Sequence, residues 1–198
     1  MSFVLGLTGS IGMGKSTTAQ MFADEGIPVW DADATVHRLY QPGQPAALAI
    51  SRLFPSAIDS DGSVNRATLR TLIQADPTTL DQLNAAVHPL VAADRSAFLE
   101  SNKSAKILLL DVPLLFETGL DKACKAVAVV SAPADVQRKR VLDRGQMTEA
   151  EFQTILARQL PDAEKRKRAD YVIDTGKGLD AARAQVTQVI RALRAPNP

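Results

Sequence analysis

Apolar residues fall into two kinds of cluster along this chain. Short continuous runs predict buried strands: Phe3-Val4-Leu5-Gly6-Leu7-Thr8, Ile27-Pro28-Val29-Trp30, Lys106-Ile107-Leu108-Leu109-Leu110-Asp111, Ala126-Val127-Ala128-Val129-Val130-Ser131 and Tyr171-Val172-Ile173-Asp174. Other segments are spaced for helices. Ser16 to Asp24 carries Ala19, Met21, Phe22 and Ala23 on a helical pattern that Gly26 stops, Pro133 opens a helix after the fourth strand, and Leu179 to Leu193 closes the chain. Strand and helix alternate, so the expected fold is α/β, a parallel five-stranded sheet flanked by helices on both faces.

One interval breaks this rhythm. From Ala34 to about Asn102 there is no strand-like run, and Pro42, Pro45, Pro55 and Pro77 separate helical candidates at Thr35 to Tyr40, Ala46 to Phe54, Arg66 to Gln74 and Leu80 to Glu100. This is more chain than a crossover between strands needs. The expected organisation is a core of residues 1–33 and 103–198 with an inserted helical subdomain at 34–102.

The first strand leads directly into Gly9-Ser10-Ile11-Gly12-Met13-Gly14-Lys15-Ser16, a complete G-x-x-x-x-G-K-[ST] phosphate-binding loop followed by Thr17 and a helix. In such a P-loop the backbone N–H groups curl around phosphates, the lysine reaches the β/γ-phosphates and the serine hydroxyl ligates Mg²⁺. The motif therefore assigns nucleotide binding to Gly9, Ile11, Gly12, Met13, Gly14, Lys15, Ser16 and Thr17, and metal binding to Ser16. Carboxylates stand at two other strand ends, where parallel sheets bind ligands: Asp31 with Asp33 after the second strand, and Asp111 at the end of the third in the manner of a Walker-B strand. If a helix begins at Asp33, one of Asp31 and Asp33 can cap it while the other does chemistry.

Composition narrows this reading. A net charge of +1 offers no global attraction to nucleic acid or to an anionic membrane, and the first apolar run is too short to span a bilayer. Cys124 is the sole cysteine, which rules out an internal disulfide or a cysteine cage and fits a cytoplasmic protein. Arg138, Lys139, Arg140 and Arg144 crowd the helix after the fourth strand, followed by Arg158 and Lys165-Arg166-Lys167-Arg168. Interleaved acids make most of these a solvated surface. Arg140 and Arg144, four apart on one helical face, are the exceptions, suited to a lid at about 138–168 that closes on transferring phosphates.

Several stretches, in this order, make the chain resemble the dephospho-coenzyme A kinase family over nearly its whole length. They are Gly6 to Thr17, Asp31-Ala32-Asp33, His88-Pro89, Asp111 to Glu117, Gln137 with Arg138, Arg140 and Arg144, Arg158-Gln159, and Ala169 to Asp174. The resemblance implies ATP with Mg²⁺, a helical acceptor domain, a lid, and transfer of the γ-phosphoryl group to the ribose 3′-hydroxyl of dephospho-coenzyme A. It makes Asp33 the base, puts Arg140 in the lid, and puts His88 in the acceptor domain, where it either faces substrate or is structural. Asp111 is a second carboxylate for substrate or metal-bound water. Ser10 and Met13 depart from the family's usual small residues, and Thr175-Gly176 replaces its usual asparagine near the adenine.

Two rivals share the loop. Another small-molecule P-loop kinase would differ only in acceptor. A regulatory GTPase would need guanine-reading and switch elements, but Asn102-Lys103-Ser104-Ala105 lacks the required aspartate and Asp59-Ser60-Asp61-Gly62 sits in a polar turn.

Overall fold

A computed structural model describes residues 2–195. In chain order the elements are β1 (Phe3–Thr8), α1 (Lys15–Asp24), β2 (Val29–Asp31), α2 (Ala32–Leu39), α3 (Pro45–Leu53), α4 (Arg66–Ala75) and α5 (Thr78–Ser101). There follow β3 (Ile107–Asp111), β4 (Ala126–Ser131), α6 (Ala134–Leu142), α7 (Glu149–Ala157), α8 (Asp162–Arg168), β5 (Tyr171–Asp174) and α9 (Leu179–Arg194). Two compact units result, among the described residues 2–31 with 102–195 and 32–101.

In the first unit the five strands are all parallel in the order β2-β3-β1-β4-β5. Both β3 and β4 are buried along their whole length, which is why their sequences are continuous apolar runs up to the terminal Asp111 and Ser131 instead of alternating. Each fully buried leucine of β3 contributes about 1.5–3 kcal/mol of transfer free energy. Met21 and Phe22 of α1 and Val186 and Ile190 of α9 belong to the core cluster that also holds Leu5, Leu7, Leu109, Ala128 and Val130 of the sheet. The strand order brings the C-terminal ends of β1, β3 and β4 side by side, and the loop that leaves β1 emerges between its neighbours.

The second unit is helical. Leu39, Ala46, Ala47, Ile50, Leu69, Leu83 and Val87 form its core. The Arg38 guanidinium donates to Asp94 at 2.7 Å and the Thr35 hydroxyl donates to the same carboxylate, tying α2 to α5. Asn65 caps α4 by accepting from the Thr68 N–H at 2.9 Å. Pro89 lies inside α5 and does not end it, so the helix runs on from Thr78 to Ser101. The Asp59-Ser60-Asp61-Gly62 turn is closed by local bonds: Asp61 accepts from the Ser63 N–H and Asp59 from the Asn65 side chain.

Candidate active site

Each glycine of the β1–α1 loop has its own physical reason. A Cβ on Gly9 would stand 2.7 Å from the Val130 carbonyl oxygen, so the loop can leave the sheet here only without a side chain. Gly12 and Gly14 hold φ of 76° and 92°, conformations that cost other L-residues energy. No residue other than glycine has positive φ among the described residues, so Ser10 and Met13 occupy backbone positions that do not require glycine. Met13 is buried, and its sulfur accepts the Ala132 N–H at 3.1 Å. The Ser10 hydroxyl is buried and has no hydrogen-bond partner among the described residues. Gly14 leads into α1 with no side-chain cap, leaving the first-turn N–H groups to an anionic ligand.

Lys15 and Asp111 meet above this loop. The ammonium is 2.6 Å from Asp111 Oδ1, and the carboxylate side chain is only 1% exposed. Asp111 is aligned with Asp31 in the β2–β3 register, so both strand-end carboxylates lie on the edge from which the loop emerges. Ser16 follows in the first turn of α1 and is exposed.

A second group gathers on the β4–β5 side. Arg140 of α6 donates to Thr175 twice, to Oγ1 at 2.8 Å and to the backbone carbonyl at 2.7 Å. The same Thr175 hydroxyl donates to the Met13 carbonyl at 2.7 Å, joining the arginine to the loop. Arg140 and Arg144 line one cavity of about 190 Å³ together with Gly14, Thr17, Met21 and Leu179. The spacing of the two arginines predicts a shared helical face, but α6 ends at Leu142 with Asp143 as its C-cap, so Arg144 reaches the same cavity from the turn after the helix and not from its face. Thr175, which the sequence marks only as a departure from asparagine, is the residue that connects them to it.

Further contacts escape a reading based on charge and motif. Gln137 donates to the Ile11 carbonyl at 2.7 Å, while the Ile11 N–H donates to the side-chain oxygen of Gln159 at 3.1 Å. Lys165 is fully buried in α8, 3.0 Å from Glu117, and also donates to the Pro113 carbonyl. Burial pushes the Glu117 carboxyl up, but the Leu160 N–H and the Lys165 ammonium outweigh it, and the group sits below its ordinary value of 4.5. Sequence alone assigns Lys165 to a solvated basic run. Its spacing in α8 gives no hint that it turns inward to a carboxylate 48 positions earlier in the chain.

Asp33 and His88 belong to the second unit. Asp33 is exposed in the first turn of α2, two residues beyond the end of β2, where the helix dipole favours a carboxylate. His88 is exposed in α5 immediately before Pro89. Among the described residues no three acidic, histidine or cysteine side chains converge as a metal cage. A loop serine, phosphate oxygens and water suffice for Mg²⁺, which keeps most of its water and takes few protein ligands, so the residues present fit that ion.

Comparison with known proteins identifies the family. The family model for dephospho-CoA kinase matches residues 3–180. The chain belongs to the dephospho-CoA kinase family. The dephospho-CoA kinase of Cereibacter sphaeroides is 57% identical over 192 residues, covering 97% of this chain and 96% of that protein. A solved structure from Thermus thermophilus superposes with a TM-score of 0.80 at 32% identity, covering 98% and 99% of the two chains. The dephospho-CoA kinase of Campylobacter jejuni shares the fold, with a TM-score of 0.73 at 22% identity and 98% coverage of both chains. These comparisons make the chain an ATP-dependent kinase of the final step of coenzyme A biosynthesis and leave no place for a GTPase switch.

Proposed function

We propose that this chain transfers the γ-phosphoryl group of ATP to the ribose 3′-hydroxyl of dephospho-coenzyme A, with Asp33 as the base. The new bond joins the acceptor oxygen to the γ-phosphorus, the bond from that phosphorus to the β–γ bridging oxygen breaks, ADP leaves, and the hydroxyl proton passes to Asp33. The observation that carries this reading is the family match over residues 3–180, which spans the P-loop, Asp33, Asp111 and both arginines of the cavity.

Each group then has a role that its surroundings support. Lys15 and the loop amides other than that of Ile11, which donates to Gln159, hold the β- and γ-phosphates, and Asp111 keeps the lysine extended above the loop. Arg140 and Arg144 bring positive charge from the α6 side of the cavity beside Gly14 and Thr17. Ser16 and, through water, Asp111 would hold Mg²⁺, which neutralises charge on the phosphate oxygens when bound. The second unit, residues 32–101, binds the acceptor, with His88 as a candidate contact. No helix among the described residues is long and apolar enough to cross a membrane, and a cytoplasmic site of action suits an ATP-consuming reaction.

An acceptor panel assayed with ATP and Mg²⁺ tests the reading. Dephospho-coenzyme A is expected to yield coenzyme A and ADP, and phosphorylation of some other alcohol in its place would return the chain to the wider class of small-molecule kinases.

A further inference from the structure

The Ile11 peptide, at the apex of the P-loop, is gripped on both sides. Its carbonyl accepts from the Gln137 side chain and its N–H donates to that of Gln159. A peptide N–H only donates and a carbonyl only accepts, so the orientation of each glutamine amide is fixed by the partner it meets. The two glutamines come from opposite ends of the arginine-rich segment: Gln137 from α6, and Gln159 from the turn after α7. Gln137 is 4% exposed, and the next residue of the loop continues the contact. A Cβ on Gly12 would stand 2.5 Å from Val141 and 3.0 Å from the Gln137 carbonyl.

Each arm of this grip carries an arginine. Arg140 lies three residues after Gln137, on the adjacent turn of the same helix, and Arg158 immediately precedes Gln159. On the return side Glu117 accepts from the Leu160 N–H at 2.8 Å and pairs with the buried Lys165, so the chain after Gln159 is anchored as well. The segment is therefore fixed at Gln137–Val141 and at Gln159–Leu160. The stretch between them contains Arg144, α7 and Arg158, and an Arg138–Glu149 ion pair at 2.8 Å joins α6 to α7.

We propose that Gln137 and Gln159 are positioning residues for phosphoryl transfer: acting through the Ile11 peptide, they hold the loop apex in register with both arginine-bearing arms. This rests on the kinase reading above. Neither glutamine needs to touch ATP. The ground-state nucleotide is held by Lys15 and the loop amides other than that of Ile11, whereas a misaligned apex penalises the moment when charge migrates between donor and acceptor. Loss of the grip therefore falls on kcat more than on KM for ATP.

The half-buried Gln159 is the cleaner of the two to alter. In Gln159→Ala, kcat with dephospho-coenzyme A is expected to fall about tenfold, the upper end of one hydrogen bond's net effect, with a smaller change in KM for ATP. Hydrogen exchange at the Ile11 amide, read in the full-length protein without nucleotide, is expected to be slow in the wild type and faster in Gln159→Ala. In Gln159→Glu it is expected to stay slow, because a carboxylate still accepts from that N–H. A kcat change smaller than the KM change, or Ile11 exchange indifferent to Gln159→Ala, overturns the proposal. Wild-type protein inactive on dephospho-coenzyme A would overturn the kinase reading instead, and the exchange comparison is independent of that result.

Discussion

Lys15 Nζ lies 2.6 Å from Asp111 Oδ1, so the lysine that the P-loop offers to phosphate is already matched to a carboxylate at the end of β3. The pair is nearly dry, with side-chain exposures of 12% and 1%. Holding the ammonium extended before nucleotide arrives removes part of the ordering cost of binding, and ATP inherits a lysine already aimed at the loop.

Replacing Asp111 tests that arrangement. Asp111→Ala leaves the lysine charge uncompensated, and breaking such a pair costs about 3–5 kcal/mol when both groups are buried. Asp111→Asn keeps the shape and is expected to retain more stability while losing ATP affinity and turnover. Thermal unfolding and nucleotide titration of the two variants separate the effects.

Thr175 joins Arg140 to the Met13 carbonyl. Thr175→Val preserves volume but removes the hydroxyl, leaving a buried carbonyl without its donor at a cost of about 1–3 kcal/mol. The expected result is a lower unfolding midpoint together with a raised KM for ATP, since Arg140 loses one of its two bonds here. Unchanged ATP kinetics in a folded variant would separate Thr175 from the nucleotide site.

Glu117 gives a pH signature. Its folded-state pKa lies below the ordinary 4.5, so its contribution to stability is present above that value and is lost as pH falls through the depressed folded value. Denaturant unfolding measured from neutral pH down into this acid window is expected to show less acid loss in Glu117→Gln than in the wild type. At neutral pH the variant is expected to be less stable by about 3 kcal/mol, the low end for stranding a buried charge, here Lys165.

Ser10 offers the opposite sign. Its buried hydroxyl has no partner among the described residues, and its backbone does not need glycine, so Ser10→Ala removes a desolvated polar group without straining the loop. The expected outcome is unchanged or slightly raised stability, within about 1 kcal/mol, read as the unfolding midpoint.

Legibility in the sequence follows the range of the interactions. The five strands announce themselves because β1, β3 and β4 are continuous apolar runs, and the P-loop because Gly12 and Gly14 answer to local backbone geometry, while Gly9 answers to the Val130 carbonyl of the neighbouring strand. Arg140 follows from its place on α6, whereas Arg144 lies in the turn after the helix ends at Leu142. Gln137, Gln159, Thr175 and Lys165 are not legible in this way, because their partners lie far away in sequence: Ile11 for both glutamines, Met13 for Thr175, and Glu117 for Lys165. An uncharged amide or hydroxyl carries no signal of its partner, and a buried lysine inside a basic run looks like its exposed neighbours. Pro89 does not mislead, since the apolar spacing from Leu80 to Glu100 carries the helical reading through it, and α5 does run on past it.

The most direct measurement is turnover of dephospho-coenzyme A by Asp33→Asn alongside its affinity for ATP. Asp33 is exposed at the start of α2, so the substitution is not expected to disturb folding. The account predicts ATP binding close to wild type and turnover lower by about 10²–10⁴-fold, the usual contribution of a general base. Near-normal turnover in the folded variant would contradict it and move the base role to another carboxylate.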